Sequence, residues 1–132
     1  VAFMTKTVYP VIEISERPGI AGQFAEINGC TWSVARLISL SVEQALPVYD
    51  APLAFMDLSE SLWGECSPIE IAGHIQAVQD ADLSKPIIFS ATGALMDGRH
   101  RLVKALMQGK ATIKAVRFEV DPVPCTEGSP HG

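Results

Sequence analysis

A single small α+β domain is the fold class these residues predict, on three observations. The chain has 132 residues, the size of one domain. Short apolar runs bounded by turn residues have the length of strands, and separate segments carry helix-start signals followed by apolar residues three and four apart. Apolar residues make up 48% and charged residues 19%, enough to build a core and unlike a disordered chain. No apolar run approaches the roughly 18 to 20 residues a bilayer span needs, and the first residues lack the basic and apolar regions of a signal peptide. The expectation is a cytoplasmic protein with no membrane partner.

In chain order, Val8, Val11, Ile12 and Ile14 suggest an extended segment ending at the turn Arg17-Pro18-Gly19. Phe24–Ile27 and Cys30–Trp32 flank Asn28-Gly29, the dipeptide that tolerates the positive φ angles of a type I′ hairpin turn. Ser33 is placed to cap a helix with Val34, Leu37, Ile38 and Val42 on one face, stopped by Pro47, although Ile38 to Val42 also alternate like a strand. Residues 48–55 read as an extended run of edge type because of Pro52. Asp57-Leu58-Ser59-Glu60 reads as a capping box opening one helical turn.

Ser67-Pro68-Ile69-Glu70 is the clearest helix start: a hydroxyl cap, a proline where no amide donor is needed, and a carboxylate three residues on. Ile71, Ile75 and Val78 predict its inward stripe, with Glu70, His74 and Gln79 nearer solvent. Pro86–Phe89 reads as a buried strand, Ala91-Thr92-Gly93 as a turn into Leu95-Met96, and Leu102, Ala105 and Leu106 as the face of a helix ended at Gly109. Thr112–Val120 alternates as a final half-covered strand, and the prolines and glycines past Asp121 point to a tail. The divisions are 1–32 for the N-terminal strands and hairpin, 33–120 for the main domain and 121–132 for a flexible tail.

Charge is unevenly spread. The whole chain carries −5, yet residues 85–118 hold seven basic side chains and one acid, Asp97, a local +6 against −11 elsewhere. That asymmetry suits an anion site on an acidic protein rather than a general polyphosphate binder. Cys30, Cys66 and Cys125 are odd in number and widely spaced, so neither a disulfide framework nor a zinc site is expected.

The residues with the most chemistry are Asp97-Gly98-Arg99-His100-Arg101. If a strand ends at Asp97 and a helix begins at Arg99, the free amides of the first turn face outward beside two guanidinium groups and an imidazole. Phosphate or sulfate is the natural ligand of such an end. The competing reading is that Arg99 and Arg101 pair with neighbouring carboxylates. Trp32 and Trp63 read as packing residues, and His74 as an exposed neighbour of Glu70.

Met96-Asp97-Gly98-Arg99-His100-Arg101-Leu102, the helix bearing Ala105 and Gly109, and Thr112-Ile113-Lys114-Ala115 resemble the ParB/sulfiredoxin superfamily over roughly residues 44–118. The resemblance implies a small mixed sheet with packed helices, here preceded by a β-hairpin, and a turn that holds nucleotide phosphates at Gly98, His100 and Arg101, to which the charge reading above adds Arg99. Arg99 stands where the sulfiredoxins carry their attacking cysteine, so sulfinic acid reduction is not expected. The D-G-x-H-R form is closer to small-molecule kinase members, which implies ATP or CTP with magnesium and hydrolysis or transfer of the terminal phosphate. Asp97 is then the catalytic candidate, with Asp57 and Glu60 as secondary carboxylates. The alternatives are a ParB-like DNA-binding or weak nuclease module and a regulatory binding protein without turnover.

Overall fold

The computed structural model describes residues 8–14 and 23–125. The described residues form an α+β domain with three helices and two sheets, of two and four strands. The turn expected at Arg17-Pro18-Gly19 lies outside the described residues, and residues 8–14 carry no helix or strand.

Strands β1 (Phe24–Ile27) and β2 (Cys30–Ser33) form the antiparallel hairpin. Asn28 and Gly29 both take positive φ, 52° and 82°, as a type I′ turn requires. Ser33 ends β2 and also caps α1 (Val34–Glu43), its hydroxyl accepting from the Arg36 amide. Val34 and Leu37 are buried, whereas Val42 is 75% exposed. The helix stops four residues before Pro47, with Ala45 in the left-handed region and the Leu46 amide donating to the Ser41 carbonyl.

The larger sheet has the order β3 (Tyr49–Pro52), β6 (Thr112–Arg117), β4 (Ile87–Phe89), β5 (Leu95–Asp97). β3 is an edge strand, as Pro52 demands, and passes into a single 3-10 turn at Leu53–Phe55. β4 runs parallel to β6 and antiparallel to β5. Ile87 and Ile88 of β4 and Ala115 and Val116 of β6 are buried on opposite faces, while Thr112, Lys114 and Arg117 of β6 stay exposed, so that strand is half covered as expected. Ile88, Val116 and Phe118 pack with Ala25, Trp32 and Leu37 of the hairpin and α1; Ile87, Ile113 and Ala115 pack with Leu102 and Ala105 of α3 (Arg99–Met107). Alternation along a strand thus feeds two cores.

α2 (Pro68–Asp80) begins with the expected capping box: Ser67 and Glu70 exchange side-chain to amide hydrogen bonds. Its orientation departs from the expected one. Ile71 and Ile75 are 47% and 54% exposed, while Gly73 and Val78 are buried. The helix packs against α3, and the Ile14 side chain lies over Gly73. A second departure is at Asp57–Glu60, where no helical turn forms. Asp57 accepts instead from the amide and hydroxyl of Ser59, a local side-chain turn that competes with helix initiation.

α3 ends in a Schellman motif, with Gly109 and Lys110 amides donating to the Leu106 and Ala105 carbonyls. Past Asp121 the chain folds back onto the hairpin as far as the described residues go. The Trp32 indole donates to the Pro122 carbonyl at 2.8 Å, Arg36 donates to the Val123 carbonyl, and the Cys125 amide donates to the Thr31 carbonyl at 2.7 Å.

Candidate anion site at the amino end of α3

The site is built on β4 and β5. β5 carries Asp97 to the rim of the sheet, and Gly98 turns the chain into α3 at φ 113° and ψ 23°. Beyond its left-handed backbone, a second constraint holds this position to glycine. A Cβ on Gly98 would stand 2.3 Å from Cγ2 and 2.7 Å from Cβ of Ile87, directly beneath on β4. The Gly98 carbonyl accepts the first helical hydrogen bond, from the Leu102 amide, and no side chain caps the helix. This end opens on a cleft of about 800 Å³, walled by Val34, Ile38 and Val42 of α1 and floored by Ile88 and Met96.

Asp97, Gly98, Arg99, His100 and Arg101 all line that cleft, in different states. Arg101 is committed to the protein: one arm of its guanidinium donates to the Lys85 and Pro86 carbonyls at 3.1 and 2.7 Å, the other to Asp97 Oδ2 at 2.7 Å. The ion pair is largely covered, with side-chain exposures of 16% and 13%. Arg101 therefore ties the start of α3 to the chain entering β4. Arg99 makes no hydrogen bond or ion pair among the described residues and lines this end of the cleft together with Lys85.

The basic strip read from the sequence is spent partly on structure. Besides Arg101, Lys104 donates to the Gln79 and Ala81 carbonyls and closes the carboxyl end of α2, and Arg117 donates to the Ala91 carbonyl. Asp80, Asp82 and Asp97 also line the cleft, equal in number to Lys85, Arg99 and Arg101. Selectivity for an anion thus rests on where the charges lie rather than on their sum. Asp82 is held below the ordinary carboxylate range by the hydroxyl and amide of Ser84.

Two residues that sequence reasoning left out join the site. His74, expected near solvent, places Nδ1 2.9 Å from Nε2 of His100. Trp63 covers both rings, with centroids 4.3 Å from His74 and 5.2 Å from His100 and interplanar angles of 12° and 21°. The two imidazole centroids are 5.2 Å apart and their planes differ by 24°. That separation is about the hydrogen-bond length plus one ring radius from each imidazole, so the histidines meet edge to edge beneath the indole. The available signal was Gly73: a glycine within a helix marks a close approach, and Gly73 adjoins His74 on the inward side of α2.

The remaining carboxylates lie elsewhere. Asp57 and Glu60 line a separate cleft of about 440 Å³ with Tyr49, Phe55, Leu62 and Arg117. Asp57 is held below its ordinary value by hydrogen bonds from Ser59. With Asp97 paired to Arg101 and the other two in another cleft, the three carboxylates do not fit a magnesium site. Among the described residues no cluster of three or more His, Cys, Asp or Glu is placed to hold a metal ion, and no helix is long and apolar enough to cross a membrane. Comparison with protein-family models, with curated proteins and with solved structures gives no match.

Proposed function

We propose that this domain binds a phosphate-bearing ligand, a nucleotide being the class favoured by the resemblance to the ParB/sulfiredoxin superfamily. The anion would sit at the amino end of α3, on the amides of its first turn, with Arg99 and His100 beside it and Arg101 holding the turn from behind. One observation carries the proposal. Ile87 leaves room for nothing larger than glycine at position 98, so α3 starts without a side-chain cap, and that start faces a cleft large enough for a nucleotide. The reading is of a binding domain. Asp97 is engaged by Arg101, and neither hydrolysis nor phosphoryl transfer is part of the proposal. The three aspartates around the cleft weigh against an extended polyanion such as DNA.

Thermal unfolding with ATP, CTP and inorganic sulfate tests this. A ligand at 100 times its dissociation constant is expected to add about 2.7 kcal/mol of stability. Arg99→Ala is expected to remove most of that gain while leaving the ligand-free protein as stable as before, because Arg99 bonds no other group among the described residues. No response to any of the three ligands overturns the proposal.

A further inference from the structure

We propose that the His74–His100 pair makes anion binding at α3 proton-linked, with His74 acting as the positioning residue that sets the protonation of His100. The inference rests on the anion-binding reading above and adds a regulation that the reading does not contain.

The geometry allows only certain proton counts. A hydrogen bond between Nδ1 of His74 and Nε2 of His100 needs one proton on one of the two facing nitrogens. The neutral pair satisfies this, and so does the pair with one added proton, which then also carries N–H on both outer nitrogens. A second added proton places two N–H groups nose to nose at 2.9 Å and breaks the bond. The pair is therefore built to gain a single positive charge without rearrangement, in the pH range where imidazoles titrate.

The surroundings decide where that charge rests. On α2, Glu70 lies one turn before His74 and favours a positive ring there, and Asp80 lies at the far end of the helix. On α3, His100 sits within the first turn beside Arg99, where amide dipoles and guanidinium disfavour a second cation; Asp97 and Arg101 neutralise each other. Around them, Cys66 holds the Trp63 carbonyl, Glu65 precedes it in the loop, Asp82 and Lys85 line the cleft, and Glu13 adjoins the Ile14 that covers Gly73. Without ligand the added proton rests toward His74. A bound oxyanion at the start of α3 draws positive charge toward His100, so binding takes up a proton and the proton strengthens binding, by reciprocity. The sign follows: affinity rises as pH falls through the titration of the pair and levels off once the single proton is bound.

The probe is inorganic sulfate, an oxyanion with no proton of its own to lose between pH 5 and 8. Its affinity is measured by calorimetry across that range for the full chain and for His74→Gln, with the imidazole nitrogens of the unaltered protein followed by NMR. The expected result is an association constant that falls by up to about tenfold per pH unit at its steepest, a slope flattened in His74→Gln, and one shared proton taken up by the pair. Sulfate binding with no pH dependence, a slope unchanged in His74→Gln, or two histidines titrating independently overturns this inference and leaves the anion site standing. No sulfate binding at any pH by either protein overturns the anion site, and the linkage with it.

Discussion

Helices α2 and α3 lie packed together yet begin in opposite ways. α2 closes its own amino end: Ser67 and Glu70 satisfy each other's amides, Pro68 removes a donor, and all of this is local to four residues. α3 begins at a glycine with no side-chain cap, and its first turn faces a cleft rather than its own sequence. The comparison teaches that an open helix end is itself a construction. It requires a β4 residue beneath Gly98, an ion pair from Arg101 to hold the turn, and a lysine to anchor α3 on α2. A sealed end costs the fold little and offers nothing to a ligand; an open one needs support from three other segments.

The largest expected effect comes from closing the α3 turn with a side chain. Gly98→Ala forces a Cβ into Ile87 at a left-handed backbone position and is expected to destabilise by about 3 to 5 kcal/mol, read by denaturant unfolding. Next in size, Arg101→Ala leaves Asp97 and two carbonyls without their donor and is expected to cost about 2 to 3 kcal/mol. Its amide exchange should quicken at the β4 and α3 starts before it does in the hairpin.

At α2 the expected effects are smaller. Ser67→Ala removes the cap and is expected to cost about 1 kcal/mol, with no change in sulfate binding, since this end touches no ligand. The mildest is titration of the box. Glu70 is held below its ordinary value of 4.5, first by Ser67 and to a lesser extent by His74. Its contribution is therefore present above pH 4.5 and fades as pH falls through the lowered folded value. A small drop in melting temperature on that acid limb, absent in Glu70→Gln, is the expected reading.

Much of the architecture was legible because its causes are local. The Asn28-Gly29 turn, the Ser33 and Ser67 caps, the edge placement of the Pro52 strand, the glycine between β5 and α3 and the Gly109 stop all follow from side chains acting within a few residues of themselves. The expectations that failed had a different cause. Apolar spacing along α2 placed Val78 correctly but not Ile71 and Ile75, because Gly73 and two alanines let the helix approach its neighbours on a side that, among its large apolar residues, only Val78 marks. Asp57–Glu60 has the letters of a capping box, and a serine two residues away captured the aspartate first.

By itself, then, the sequence determined the Asn28-Gly29 turn, the serine-capped starts of α1 and α2, the Gly109 stop, and that a bare glycine precedes Arg99, since these depend on φ preferences and hydrogen bonds over one to four residues. Only the tertiary structure decided what those features meet: that Ile87 lies under Gly98, that Arg101 is occupied while Arg99 makes no bond among the described residues, and that Trp63, His74 and His100 assemble from a loop and two helices. The reason is range. Contacts between residues eleven to thirty-seven positions apart depend on how elements pack, and packing is settled by the whole core at once.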